Sequence, residues 1–148
     1  MNAIAITIEE QEIKINEIRK LYDKAYSCWM PHINILYPCT FEDFEQMKIK
    51  FMQIRPFYIH LDEIGFFTKK KYLSVHLKSS NNEILQHIFG NNHNLHMTIA
   101  QIKKSDTILL DSFKKWLGEG IIIYVDKISF LQRHKQNNKM LFLCHFYL

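Results

Sequence analysis

The chain has 148 residues, enough for one domain with a hydrophobic core, and we predict a single domain over residues 1–148. Its hydrophobic content of 47% excludes a largely disordered protein, and its formal net charge of +4 is too small to indicate nucleic acid by itself. No apolar run approaches the roughly 18 residues of a membrane-spanning helix, so we expect no membrane protein.

The cysteines and the N-terminus predict the compartment. Three cysteines, an odd number without metal-ligand spacing, favour reduced thiols: Cys28, Cys39 and Cys144. No basic region precedes the short apolar run before Glu9, so we expect no secretory signal peptide. These features together predict a cytoplasmic protein, with the nucleus as the alternative.

The first half of the chain alternates strands and helices. Apolar alternation predicts a strand over 2–8, and a helical stripe predicts a helix over 9–26. Pro31 ends that segment, and an extended stretch rich in β-formers follows it. Thr40, with Asp43 three residues later, resembles a capping box and predicts the start of the next helix.

The second half begins with a predicted strand over 57–67, where a change of phase at Asp62 indicates a bulge. A returning strand over 73–77 follows a predicted turn that contains three lysines, at 69–71. A short helix is predicted from about Asn82 to Gly90, and an Asn-rich loop leads from it into the next strand.

The last third of the chain predicts a helix and a hairpin. Ser105 is the expected N-cap of the helix, which Gly118 closes. The hairpin pairs residues 121–131 with residues 139–147. The order of elements predicts an α+β fold of two similar lobes, with antiparallel-rich sheets and outer helices around a central cleft.

Two short motifs share one pattern: a histidine, any residue, a small polar residue and an aliphatic residue. They run His32-Ile33-Asn34-Ile35 and His96-Met97-Thr98-Ile99. Both are rich in β-formers and predict strands. Side chains alternate between the faces of a strand, so each histidine shares a face with the polar residue two positions later. The same alternation places Tyr37 on the face opposite His32.

The pair of motifs resembles the signatures of the 2H phosphoesterase superfamily, which includes the LigT-like bacterial 2′-5′ RNA ligases and cyclic phosphodiesterases. The surrounding stretches are similar as well: Trp29-Met30-Pro31-His32, Tyr37-Pro38 and Thr98-Ile99-Ala100-Gln101. Asn34 departs from the usual Ser or Thr. The resemblance covers nearly the whole chain and implies a LigT-like fold with a pseudo-twofold axis.

The resemblance implies a metal-independent phosphodiesterase without a cofactor, in which His32 and His96 act as general acid and base. A histidine pKa near 6.5 permits either role at neutral pH. The Asn34 amide and the Thr98 hydroxyl can donate hydrogen bonds to phosphoryl oxygens. Tyr37 is a candidate for stacking a base, although packing is the commoner role, and Gln101 is a candidate substrate contact.

The expected ligands are 2′,3′-cyclic phosphates, 2′-5′ linkages or ADP-ribose cyclic phosphates, bound by a monomer. A zinc site is less favoured, because neither motif contains an acid and no H-x-x-x-H or C-x-x-C occurs. A non-catalytic RNA- or nucleotide-binding module and a structural domain stay open as alternatives. His76 is the further histidine expected nearest the cleft. The basic run 133–135 fits either an RNA backbone contact or a solvated hairpin tip.

Overall fold

The computed structural model describes residues 1–9, 12–81, 83–90 and 94–148. Its helices are α1 (Glu12–Tyr22), α2 (Phe41–Phe51), α3 (Glu83–Phe89) and α4 (Ile108–Leu117). Its strands are β1 (Asn2–Thr7), β2 (His32–Cys39), β3 (Phe57–Leu61), β4 (Glu63–Thr68), β5 (Leu73–Lys78), β6 (Met97–Ile102), β7 (Ile121–Val125), β8 (Lys127–Arg133) and β9 (Met140–Tyr147).

The strands form three antiparallel sheets. The largest has the order β2-β1-β8-β9, the second has the order β4-β5-β6, and β3 pairs with β7 in a two-stranded ribbon. The predicted α+β class with antiparallel-rich sheets is therefore confirmed. No helix in the described ranges is long and apolar enough to cross a membrane.

The core-facing side of the largest sheet is aliphatic. Ile4 and Ile6 on β1 and Ile33 on β2 are at most 1% exposed, because alternate residues of a strand share one face. Helix α2 packs its buried Phe44 and Phe51 against this core. The opposite face of β1 and β2 carries small or polar residues such as Ala3, Ala5 and Asn34.

The capping box before α2 is present as predicted. The Asp43 backbone N–H donates to Thr40 Oγ1 at 3.1 Å, and the Thr40 backbone N–H donates to the Asp43 carboxylate at 2.7 Å. Helix α1 is shorter than the predicted 9–26. The Asp23 carboxylate accepts the Ala25 N–H at 3.0 Å, a local bond that competes with helix continuation.

The bulged strand predicted over 57–67 is wrong, because β3 and β4 belong to different sheets. Asp62 lies at the switch, and its carboxylate accepts the Ser80 N–H at 2.8 Å. The strand predicted over 121–131 is likewise two strands, β7 and β8. Only β8 pairs with β9, so the C-terminal hairpin is shorter than expected.

The N-cap assigned to Ser105 is wrong. Helix α4 begins later, with Thr107 as its N-cap, because a turn closed by the Asp106 N–H to the Lys103 carbonyl comes first. Gly118 ends the helix with a φ of +57°, as predicted. Helix α3 lies within its predicted span, while residue 82 and residues 91–93 of the Asn-rich loop lie outside the described ranges.

Candidate active site

Five of the six candidate residues line one cleft of about 230 Å³: His32, Asn34, Tyr37, Thr98 and Gln101. The sixth, His96, lies immediately before β6. Its charge is one of the causes that lower the pKa of His32, so the two histidines are electrostatic neighbours. A larger cavity of about 460 Å³ is lined instead by residues such as Tyr58 and Tyr124, and none of the six candidates lines it.

A bulge in β2 decides which side chains reach the cleft. Asn34 pairs with Ala5 and Leu36 pairs with Ile4, so Ile35 has no partner on β1. The extra residue shifts the alternation, and Asn34 and Tyr37, three positions apart, both line the cleft. The prediction that Tyr37 lies on the face opposite His32 is therefore wrong.

Strand β6 contains the equivalent bulge. Thr98 pairs with His76 and Ala100 pairs with Val75, which leaves Ile99 unpaired. Thr98 and Gln101 consequently face the cleft together. Ile99 corresponds to Ile35 in the first motif, so the internal repeat extends from the sequence pattern to an irregularity of the backbone.

The two histidines are held by the same local contact. His32 Nδ1 lies 2.8 Å from the Met30 carbonyl oxygen, and His96 Nδ1 lies 2.7 Å from the Asn94 carbonyl oxygen. A carbonyl oxygen only accepts, so Nδ1 carries the hydrogen in both rings. Nε2 is then the free basic nitrogen of each neutral imidazole.

The surroundings of His32 favour its neutral form. Burial is the main cause that lowers its pKa, and the charges of Arg19 and His96 lower it further. The hydrogen bond to the Met30 carbonyl and the Asp23 carboxylate act in the opposite direction but do not reverse the shift. A neutral imidazole with a free Nε2 can accept a proton.

Asn34 presents one end of its amide to the cleft. Its Oδ1 is buried without a hydrogen-bond partner among the described residues, which leaves Nδ2 as the accessible end. Ala5, directly opposite Asn34 on β1, is 0% exposed, and Ala3, which lines the cleft, is 1% exposed. Both alanines belong to a small buried cluster with Leu131, against which Trp29 packs.

Gln101 uses its side chain within the protein. Its Oε1 accepts the Lys24 N–H at 2.8 Å, and its Nε2 donates to the Asp23 carboxylate at 3.3 Å. Gln101 thus connects β6 to the segment after α1. This arrangement gives it a part in positioning the two halves of the cleft, besides any contact with a ligand.

A buried ion pair that lines the cleft was not identified from the sequence. Arg19 Nε lies 2.7 Å from the Asp23 carboxylate, and both side chains are 3% exposed. Arg19 also donates to the Trp29 carbonyl, three residues before His32. The spacing of four residues is the only sequence signal, and the same spacing occurs in many exposed helix pairs.

Replacing Arg19 by alanine is expected to lower the free energy of unfolding by about 3–5 kcal/mol, because the buried Asp23 carboxylate loses its partner. Urea denaturation measures the change. The matched control is Lys48→Ala, which breaks a half-exposed pair with Glu45 and is expected to cost less than about 1 kcal/mol. Equal losses in the two variants would contradict a buried role for Arg19.

Trp29 and Arg133 complete the rim of the cleft. Trp29 Nε1 donates to the Asn138 carbonyl at 2.8 Å, and its ring centre lies 5.2 Å from that of His32. The Arg133 guanidinium lies 5.5 Å from the centre of the Trp29 ring. Of the basic run 133–135, Arg133 is the member that lines the histidine cleft, where its charge favours an anionic ligand.

No group of three His, Cys, Asp or Glu side chains suitable for a metal ion occurs within the described ranges. The three cysteines predicted to be reduced are unpaired.

The sequence and the fold were compared with known proteins. The family model of the 2′-5′ RNA ligase superfamily matches residues 7–137. A comparison with curated proteins gives no match.

Solved structures of similar fold cover almost the whole chain. E. coli LigT complexed with 3′-AMP has a TM-score of 0.62 at 11% identity, over 99% of this chain and 97% of that one. E. coli LigT complexed with ATP has a TM-score of 0.60 at 12% identity, over 99% and 96%. A structure described as a phosphoesterase has a TM-score of 0.59 at 12% identity, over 99% and 97%.

Proposed function

Because the chain belongs to the 2′-5′ RNA ligase superfamily, the superfamily of the 2H phosphoesterases, we propose that it is a metal-independent phosphodiesterase with His32 and His96 as its acid–base pair. The observation that supports the proposal most is that both histidine rings make the same local hydrogen bond. Each Nδ1 is held by the carbonyl oxygen two residues earlier, and each Nε2 is left for a substrate.

The proposed reaction is hydrolysis of a 2′,3′-cyclic phosphate. His32 Nε2 takes a proton from water as the water oxygen forms a bond to phosphorus. His96, in its protonated form, gives its proton to the ribose oxygen as the bond from that oxygen to phosphorus breaks. The product is a phosphomonoester with one free ribose hydroxyl, and water restores the two protonation states.

The burial of His32 supports one direction of proton transfer. Burial lowers the pKa of His32, so His32 is the better candidate for the neutral base. His96 is then the acid. The reverse direction exchanges these roles, and attack by a hydroxyl in place of water uses the same residues. Hydrolysis of 2′-5′ linkages and the corresponding ligation are therefore included in the proposal.

Two donors are proposed to hold the nonbridging phosphoryl oxygens. The Thr98 hydroxyl and the Asn34 amide nitrogen line the cleft on β6 and β2, one from each motif. Donors placed where negative charge develops stabilise the transition state more than the ground state. Arg133 supplies a positive charge on the rim, and Tyr37 supplies an aromatic ring for the base.

The proposed substrates are nucleotides or RNA ends with a 2′,3′-cyclic phosphate or a 2′-5′ phosphodiester. The similar E. coli LigT structures hold ATP, 3′-AMP, phosphate or NADP⁺, which supports a phosphate-bearing nucleotide as the ligand class. We further propose that residues 1–148 act as one domain and as a monomer, in the cytoplasm or the nucleus.

A substrate panel tests the proposal. Purified protein with EDTA is offered 2′,3′-cyclic nucleotides, 2′-5′ oligoadenylate and linear 3′-5′ RNA, with a His32→Ala/His96→Ala double variant as the blank. Turnover of the cyclic or 2′-5′ substrate by wild type alone is expected. Tight binding without turnover would instead favour the non-catalytic nucleotide-binding module.

A further inference from the structure

His76 is buried on the cleft side of the β4-β5-β6 sheet. It pairs with Gly65 on one side and with Thr98 on the other, and residues directly opposite in a sheet share a face. Although Thr98 opens to the cleft, His76 is only 3% exposed. Its ring centre lies 4.8 Å from that of His96 and 4.5 Å from that of Phe67, and these two rings cover it.

The His76 ring is held mainly by packing. Its Nδ1 is buried and makes no hydrogen bond of normal geometry among the described residues, although contact with the Ser74 backbone acts to raise its pKa. A buried polar atom without a well-formed hydrogen bond does not stabilise the folded state. The ring is therefore placed by its contacts with His96 and Phe67, and not by a hydrogen bond of its own.

His76 is uncharged near neutral pH. Burial is the main cause that lowers its pKa to about 4, the charges of His96 and Lys78 lower it further, and the contact with the Ser74 backbone acts weakly in the opposite direction. Lys78 Nζ lies 3.7 Å from the Glu63 carboxylate, so the negative charge of Glu63 partly offsets the effect of Lys78 on the His76 ring. An uncharged ring can lie against His96 in either protonation state, whereas a second imidazolium would repel a protonated His96.

Gly65 provides the space that the His76 ring occupies. A Cβ at Gly65 would lie 2.5 Å from His76 Nε2, closer than real side chains approach one another. The φ of Gly65 is outside the left-handed region, so the backbone does not require glycine. The absence of a side chain at Gly65 leaves the room that the His76 ring needs.

We propose that His76 is a positioning residue, an uncharged ring that packs against His96 and holds its Nε2 in the direction needed for proton transfer. The proposal rests on the proposed function, in which His96 is the acid. The bond from His96 Nδ1 to the Asn94 carbonyl fixes one edge of the ring. The Phe67 ring centre lies 5.0 Å from that of His96, with an angle of 75° between the ring planes. The rings of Phe67 and His76 therefore pack against two further sides of the His96 ring.

Two variants disturb the packing by different routes. His76→Ala removes the ring, and Gly65→Ala displaces it. Both are expected to lower kcat by about 10- to 100-fold with KM nearly unchanged, because a small misplacement of a catalytic group slows the chemical step. His76→Leu, which restores an uncharged side chain of similar size, is expected to recover most of the lost kcat.

A second readout does not depend on activity. Nitrogen NMR of labelled His96 should show a hydrogen on Nδ1 of the neutral ring in wild type, and a mixture of tautomers in His76→Ala. The control is His145→Ala on the edge strand β9. His145 is also a histidine whose pKa is lowered by burial, but it is hydrogen-bonded to Ser129 at 2.7 Å. Its loss should leave kcat and the His96 signals unchanged.

The outcomes separate the two proposals. Absence of turnover in wild type would defeat the proposed function, while the His96 signals would still decide whether His76 orients the ring. A folded His76→Ala with wild-type kcat and unchanged His96 signals would overturn the positioning role. Failure of His76→Leu to restore kcat would overturn packing as its basis. If His76→Ala does not fold, Gly65→Ala decides by the same criteria.

Discussion

Replacing His32 or His96 by alanine is expected to lower kcat for phosphodiester hydrolysis by about 10²- to 10⁴-fold, the usual contribution of a general acid or base. Each variant removes one Nε2 and leaves the other ring in place. Because the two histidines serve the same step, the double variant is expected to be little slower than the worse single variant. Steady-state rates of the three variants and wild type measure this.

The control for these variants is His87→Ala, which removes an exposed histidine on α3. Its rate should equal that of wild type. Circular dichroism establishes that His32→Ala and His96→Ala are folded, since both side chains also make one hydrogen bond to a carbonyl. A folded single variant with wild-type turnover would show that the two-histidine mechanism is wrong.

Thr98→Ala is expected to reduce kcat by roughly 10²-fold, or about 3 kcal/mol of transition-state stabilisation, the typical loss for one donor to a developing oxyanion. Asn34→Ala should lose less. The Thr98 hydroxyl matches the superfamily pattern, whereas Asn34 donates from a longer stem and leaves its Oδ1 buried without a partner among the described residues. Comparison of kcat and KM for the two variants tests the order.

Asn34→Thr refines this prediction, because it restores the usual residue of the motif. We expect it to retain or raise activity on the best substrate of the panel. Loss of turnover in Asn34→Thr, with the fold intact, would show that the amide has a role of its own, such as selection of the substrate.

Local sequence signals identified most of the elements. The capping box of Thr40 and Asp43 predicted the start of α2, and Gly118 predicted the end of α4, because each depends on atoms close in sequence. The switches between sheets near Asp62 and Asp126 were not predictable in this way. A bulge and a change of sheet produce the same break in alternation, and only the pairing partner distinguishes them.

The site shows the same division. The repeated motif identified His32, Asn34 and Thr98 as candidates from the sequence, and all three line the cleft. The bulge at Ile35, which turns Tyr37 into the cleft, depends on register with β1 and had no local signal. The burial of the Arg19–Asp23 ion pair could not be predicted from the sequence either, because tertiary packing decides whether a charged pair is buried.

The pH dependence of kcat/KM, measured with and without EDTA, tests the central claim most directly. The mechanism needs His32 neutral and His96 protonated in the same molecule, so the profile on a 2′,3′-cyclic nucleotide should be a bell. Activity should fall at low pH as His32 gains a proton. Burial lowers the pKa of His32 from 6.5, so this limb should lie below pH 6.5. At high pH, activity should fall as the acid loses its proton. A bell that is unchanged by EDTA is the predicted result, and activity that EDTA abolishes and added metal restores would contradict the account.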